Sequence, residues 1–128
     1  MNAPSSPAPC TVAVVDDDST STVLVSRILS RAGYTVIVHE SGEALLEQLA
    51  TSRPDVVCLD IELPGIDGLE TLRRLHAIEP GLPVILFSAS ADAVRDEALG
   101  AGAFACVDKT GGWNELRGAI DRALARGT

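Results

Sequence analysis

The sequence predicts an α/β fold, with a doubly wound sheet of five parallel strands covered by helices on both faces. Short apolar runs such as Val56 to Leu59 alternate five times with longer segments of helical periodicity. The connections between them are short, and parallel neighbours need helical crossovers, which are right-handed. A chain of 128 residues that is 46% hydrophobic also has enough apolar material for a single core. We therefore expect one domain.

The ends of the chain differ in composition from the rest. Residues 1–10 hold three of the seven prolines and show no hydrophobic periodicity, which predicts a disordered N-terminal tail. Residues 11–126 are expected to form the domain, and residues 127–128 are the C-terminal end.

Each predicted strand is a short apolar run, and each predicted helix follows a capping side chain. The strands cover residues 12–15, 34–38, 56–59, 83–87 and 104–107. The second strand is half polar, which indicates an edge position. The caps of the first four helices are Asp18 or Ser19, Ser41, Asp67 and Asp92. Glu70 follows Asp67 at the capping-box spacing, and Trp113 begins the apolar stripe of the last helix.

Charge and composition exclude several functions. The net charge of −8 and the pI near 4.5 argue against direct nucleic-acid binding, because a phosphate backbone favours a basic surface. No apolar run approaches the roughly 18 residues of a membrane span, and the start lacks a secretory signal, so we expect a cytoplasmic protein without membrane insertion. The three cysteines are Cys10, Cys58 and Cys106. They are far apart in sequence, which suggests neither a zinc site nor a disulfide framework.

Chemically active side chains follow four of the five predicted strands. They are Asp16 and Asp17, Asp60, Ser88, and Lys109. Parallel strands bring their carboxyl ends to one edge, so these groups should converge in one pocket. Two carboxylates ~4 Å apart repel by about 4 kcal/mol at an effective dielectric of ~20, which calls for a hard cation such as Mg²⁺. The Asp60 carboxylate could then attack phosphorus while Mg²⁺, Lys109 and Ser88 hold the equatorial oxygens.

The sequence resembles the receiver domains of bacterial two-component response regulators over residues 11–126. The resemblance rests on the polar strand ends together with Ala89 after Ser88, and on the turn Leu63-Pro64-Gly65-x-Asp67-Gly68. It implies a flavodoxin-like (βα)5 fold with sheet order 2-1-3-4-5. It also implies that Asp60 accepts a phosphoryl group from a histidine kinase or a histidine phosphotransfer protein. In such domains Mg²⁺ is held by the equivalents of Asp17, Asp60 and the backbone carbonyl of Glu62, with Asp16 acting through water.

The sequence departs from that family at the expected switch. Cys106 stands where receivers usually have a Tyr or Phe three residues before the lysine. We therefore expect Ser88 and the helix after it, rather than an aromatic at position 106, to carry the phosphorylation signal. Asp108 places a charge at the end of the fifth strand, where it could pair with Lys109 or end the strand.

The main interpretation is a single-domain, chemotaxis-regulator-like response regulator that is not an enzyme and signals to an unknown downstream protein through protein contacts. Two other interpretations remain open. Asp16 to Thr20 also fits the Asp-x-Asp-x-Thr opening of haloacid-dehalogenase-like Mg²⁺-dependent phosphatases, although that assignment leaves Asp60 without a role. The chain could also be the truncated receiver of a helix-turn-helix transcription factor. A receiver that binds partners without phosphorylation is less favoured, because every acid of the motif is present.

Overall fold

The structure, a computed structural model, describes residues 10–126, and residues 1–9 and 127–128 of the two predicted termini lie outside the described residues. Five strands and five α-helices alternate within residues 10–126. The strands are β1 (Thr11–Val15), β2 (Thr35–His39), β3 (Val56–Leu59), β4 (Val84–Ser88) and β5 (Ala105–Asp108). The helices are α1 (Ser19–Arg31), α2 (Gly42–Gln48), α3 (Gly68–Ile78), α4 (Ala91–Gly100) and α5 (Trp113–Arg126), and a 3-10 helix covers Lys109–Gly111.

The five strands form one parallel sheet in the order β2-β1-β3-β4-β5. The predicted fold class, strand order and edge position of β2 are therefore confirmed. Both β4 and β5 extend one residue beyond their predicted ends, because Ser88 and Asp108 pair with each other in the ladder. Ser88 and Asp108 thus belong to the sheet, although a hydrophobic pattern does not mark them.

Apolar side chains cover both faces of the sheet. One face packs against α2, α3 and α4, whose fully buried residues include Leu45, Leu72 and Leu75. The other packs against α1 and α5 through Leu29 and Ile120, among others. Alternate residues of each strand point to opposite faces, so the continuous apolar runs of β1, β3 and β4 supply both cores. No helix in residues 10–126 is both long and apolar enough to cross a bilayer.

Three of the four predicted helix caps are confirmed. The side chains of Asp18, Ser41 and Asp67 each accept a hydrogen bond from a backbone N–H in the first turn of the following helix. The capping box is only half formed, because the Glu70 carboxylate binds the Arg74 guanidinium at 2.9 Å. An exposed glutamate at this position has a charged partner one turn away, which competes with the backbone N–H of the cap.

The predicted cap of the fourth helix, Asp92, is wrong. Helix α4 begins one residue earlier, at Ala91, and Ser90 holds the N-cap position without a side-chain capping bond. Asp92 lies in the first turn and pairs with Arg95 at 2.9 Å. A carboxylate in the first turn still interacts favourably with the helix dipole, which explains why the residue looked like a cap in the sequence.

The fold shows which of the two roles Asp108 has at the end of β5. Asp108 ends the strand and does not pair with Lys109, since its carboxylate accepts the Thr110 backbone N–H at 2.7 Å. This bond and the Thr110 hydroxyl lower the pKa of Asp108. Cys106 of β5 is buried in one core and Cys58 of β3 in the other, where both act as small core residues.

Candidate functional site

The carboxyl ends of β1 and β3 place Asp16 and Asp60 side by side. Val15 is the ladder partner of Leu59, so the next residue of each strand leaves the sheet at the same level. The Asp60 backbone N–H donates to the Val15 carbonyl at 3.0 Å and fixes this arrangement. Both aspartates are buried, with 5% and 9% of their surfaces exposed. The fold therefore holds two buried carboxylates at one edge, as the strand pattern predicted.

Lys109 is the cation that faces these carboxylates. Its ammonium lies 2.7 Å from Asp16 Oδ2 and 3.5 Å from Asp60 Oδ2. It also donates to the Ser21 hydroxyl oxygen at 3.1 Å. Burial lowers the pKa of Lys109, but the hydrogen bond to Asp16 and the charges of both carboxylates outweigh burial and raise it. The lysine is therefore held charged inside the site.

Asp60 is the less completely neutralised of the two carboxylates. Burial raises its pKa, and the negative charge of Asp16 raises it further. A hydrogen bond from the Ser88 hydroxyl, the charge of Lys109 and the Glu62 backbone N–H at 3.4 Å act in the opposite direction, but the pKa remains raised. A buried, incompletely paired carboxylate is suited to act as a nucleophile towards an electrophile that enters from the open edge.

The segment after Asp60 is held by backbone contacts. A Cβ atom at position 68 would lie 2.2 Å from the Asp60 carbonyl oxygen, so only glycine lets α3 start this close to Asp60. The Gly68 N–H donates to the Ile61 carbonyl at 2.7 Å. On the outer side, Glu43 of α2 accepts the Ile66 N–H at 3.0 Å, and this bond lowers the pKa of Glu43.

Ser88 and two aromatic rings complete the site on the β4 side. Ser88 is 1% exposed, and its hydroxyl oxygen accepts the Ser90 N–H at 3.3 Å. The Lys109 ammonium lies 6.0 Å from the centre of the Phe87 ring. That ring packs on Trp113 with 5.4 Å between ring centres, and Trp113 packs against the core at the start of the apolar stripe of α5, as predicted.

The sequence matches the family model of the response regulator receiver domain over residues 12–121. The chain belongs to this family. Receiver domains act in two-component signalling, so the family match favours the receiver interpretation over a haloacid-dehalogenase-like phosphatase.

Curated and solved relatives agree with the family match. The DNA-binding transcriptional regulator NtrC of Klebsiella pneumoniae is 38% identical over 115 residues, which cover 88% of this chain and 24% of NtrC. The chain thus spans about a quarter of the length of that relative. A CheY-like receiver domain protein from Methanospirillum hungatei JF-1 has a TM-score of 0.86 at 26% identity, with 93% of this chain and 96% of that one covered. TrrA from Thermotoga maritima, in complex with Mg²⁺ and BeF, has a TM-score of 0.83 at 30% identity, covering 90% and 99%.

The receiver site fits Mg²⁺ by the chemistry of its donors. Two buried carboxylates face a single ammonium, and all the nearby anionic donors are oxygen atoms, which this hard cation prefers. Asp17 and Glu62 lie next to these residues in sequence and are exposed. Within residues 10–126, no three His, Cys, Asp or Glu side chains form a cluster that could hold a metal ion. Mg²⁺ needs only one or two carboxylates when carbonyl and water ligands complete its shell, so the roles of Asp17 and Glu62 stay predictions.

Two residues of the receiver site escaped sequence analysis. Ser21 contacts Lys109 from α1, and Glu43 holds the segment after Asp60 from α2. Ser21 lies in the first turn after the acidic cluster, which is a usable signal, because that turn must pass the carboxyl edge of the sheet. Glu43 has no such signal, since its contact joins positions 23 residues apart.

Proposed function

We propose that Asp60 accepts a phosphoryl group from a phosphohistidine of a histidine kinase or a histidine phosphotransfer protein. The observation that carries this proposal is the pairing of a buried carboxylate, Asp60, with the Lys109 ammonium at 3.5 Å and the Ser88 hydroxyl. Phosphoryl transfer needs a nucleophile in line with the leaving group and positive charge around the equatorial oxygens. The site brings such groups together at an open edge of the sheet.

The transfer step follows from these positions. One Asp60 oxygen forms a bond to phosphorus as the phosphorus–nitrogen bond of the donor histidine breaks, and the imidazole nitrogen keeps the bonding electron pair. The Lys109 ammonium donates a hydrogen bond to one phosphoryl oxygen, and the Ser88 hydroxyl donates a hydrogen bond to a second one. Mg²⁺ would be held by Asp17, Asp60 and the Glu62 carbonyl, with Asp16 acting through water, and would supply further positive charge to the transferring group. Burial of Asp60 strengthens each of these interactions.

The phosphorylated domain is proposed to act in the cytoplasm on a downstream protein target, through its surface and without its own contacts to nucleic acid or membrane. The net charge of −8 favours a protein partner over nucleic acid. Ser88 is proposed as the switch residue, since its hydroxyl is close enough to Asp60 to affect the pKa of that carboxyl and its oxygen accepts the N–H of Ser90, just before α4. Cys106 fills the position of the usual aromatic without a ring that could rotate.

The direct test is labelling with a small phosphodonor. With phosphoramidate and Mg²⁺, intact-mass measurement should show one added phosphoryl group on the wild-type chain and none on Asp60→Asn. Asp96→Asn, which removes an exposed carboxylate of α4, is the matched control and should label like the wild type. Equal labelling of Asp60→Asn would refute Asp60 as the acceptor, and steady hydrolysis of a phosphate monoester would point to a phosphatase instead.

A further inference from the structure

The Lys109 ammonium is surrounded by three acceptors of unequal distance. An ammonium has three N–H donors, and here they meet Asp16 Oδ2 at 2.7 Å, Ser21 Oγ at 3.1 Å and Asp60 Oδ2 at 3.5 Å. The first two distances are those of ordinary hydrogen bonds, whereas the third is at the outer limit. The ammonium is therefore displaced from the nucleophile towards the start of α1.

Both near acceptors lie at the start of α1, with Asp16 just before the helix and Ser21 in its first turn. Asp18 caps the helix, and its backbone N–H donates to Asp16 Oδ1 at 2.9 Å, which leaves Oδ2 for the lysine. Ser21 is the third residue of the same helix and is half-buried. We call Asp16 Oδ2 and Ser21 Oγ the α1 acceptor pair. Asp16 is hydrogen-bonded to the residue that caps the helix, and Ser21 lies in the first turn, so both acceptors are held at the start of α1.

We propose that Ser21 is a positioning residue that holds the Lys109 ammonium on the α1 acceptor pair and so limits its engagement with phosphoryl oxygens on Asp60. This inference rests on the proposed function of Asp60. New oxygens on Asp60 compete with the α1 acceptor pair for the same three N–H donors. The bond to Asp16 joins opposite charges and persists, whereas Ser21 is a neutral acceptor whose bond is exchanged at lower cost.

Removal of the Ser21 hydroxyl should therefore shift the lysine towards Asp60. A single hydrogen bond of this kind changes an equilibrium on the order of threefold to tenfold. The probe is beryllofluoride with Mg²⁺, a non-covalent stand-in for the phosphoryl group, which separates binding from the rate of phosphotransfer. The reporter is the single tryptophan, Trp113, whose ring packs on the Phe87 ring beside Lys109.

In a fluorescence titration, Ser21→Ala should bind beryllofluoride threefold to tenfold more tightly than the wild type. Ser21→Thr keeps the acceptor oxygen and should bind beryllofluoride with the wild-type affinity. If Ser21 only filled space in the fold, the affinity would not depend on whether the hydroxyl is present. Ser26→Ala, a half-buried serine of the same helix, is the matched control and should not change the affinity. A crystal structure of unmodified Ser21→Ala should place the Lys109 ammonium closer to Asp60 than 3.5 Å.

The outcomes distinguish this inference from the proposed function. If the wild type binds beryllofluoride and Ser21→Ala binds it equally or more weakly, the positioning role is refuted while the function of Asp60 stands. Failure of Ser21→Thr to restore the wild-type affinity also refutes the positioning role. If the wild type neither binds beryllofluoride nor accepts a phosphoryl group, the proposed function fails and this inference fails with it.

Discussion

Asp60 combines the properties that a phosphoacceptor needs with ones that cost stability. Its carboxylate is buried beside Asp16, and only one ammonium is shared between the two acids. Burial is the main cause that raises its pKa, which means that the folded protein disfavours the charged form. The charged carboxylate of Asp60 is therefore held in the site at a cost in folding free energy.

This cost predicts a pH-dependent effect of Asp60→Asn on the free energy of unfolding. A raised folded pKa means that the folded state binds the proton more tightly than the unfolded chain, so this stabilisation is present below the unfolded pKa of about 3.9 and is lost as pH rises through the folded pKa. Asp60→Asn should therefore be more stable than the wild type at pH 7 without Mg²⁺, and the difference should shrink towards pH 4. Urea unfolding at both pH values measures it, and equal stability at pH 7 would contradict the pKa argument.

Helix α4 buries little apolar surface against the sheet. Its fully buried side chains are the small residues Ala91 and Ala98, whereas Leu99 is 44% exposed. A polar contact compensates for this small buried area, because the Arg95 guanidinium donates to the Cys106 backbone carbonyl at 2.7 Å. The Cys106 thiol also contacts the Ala91 carbonyl at 3.8 Å. An element attached in this way can repack at low cost when Ser88 changes partner.

The Arg95 contact gives a prediction for the motion of α4. Arg95→Ala should raise the hydrogen-exchange rates of the α4 amides severalfold, since it removes the hydrogen bond that joins α4 to the end of β5. Cys106→Ala keeps the backbone acceptor and should change these rates much less, and Arg53→Ala, which breaks an exposed pair with Glu79, should leave α4 unchanged. Equal exchange in Arg95→Ala and the wild type would show that apolar packing alone holds α4.

The whole molecule is a sheet buried on both faces, with its ionisable site at one edge. The two cores hold the strands rigidly through α2, α3 and α4 on one side and α1 and α5 on the other. Charge repulsion at the carboxyl edge opposes this packing, so a cation that binds only the folded site stabilises the whole chain by mass action.

Mg²⁺ should therefore raise the melting temperature of the wild type at neutral pH. The gain is RT ln(1 + [Mg²⁺]/Kd), about 1.4 kcal/mol at ten times Kd. Asp17→Asn should remove the gain, yet melt like the wild type without metal, because Asp17 is exposed and makes no hydrogen bond or ion pair within the described part of the chain. Asp96→Asn is the control for lost surface charge. A midpoint that Mg²⁺ leaves unchanged at saturating concentration would contradict the metal site.

Sequence patterns predicted the fold class and the polar residues at the strand ends, and the family resemblance predicted the strand order. These follow from local patterns. A buried strand shows as an apolar run, a helix start shows as a capping side chain such as Asp18, and the topology of parallel strands brings Asp60 and Lys109 to one edge. Such features need only neighbouring residues and one general rule of sheet geometry.

Only the tertiary structure decided how those groups divide their bonds. It showed that Lys109 lies nearer to Asp16 than to Asp60, that Ser21 shares the ammonium, and that Asp92 pairs with a side chain and does not cap α4. The lysine is separated from Asp16 by 93 positions, and the choice among its acceptors depends on differences below 1 Å. Differences of this size depend on the exact position of each helix on the sheet. That position depends on the packing of both cores at once and not on any local sequence pattern.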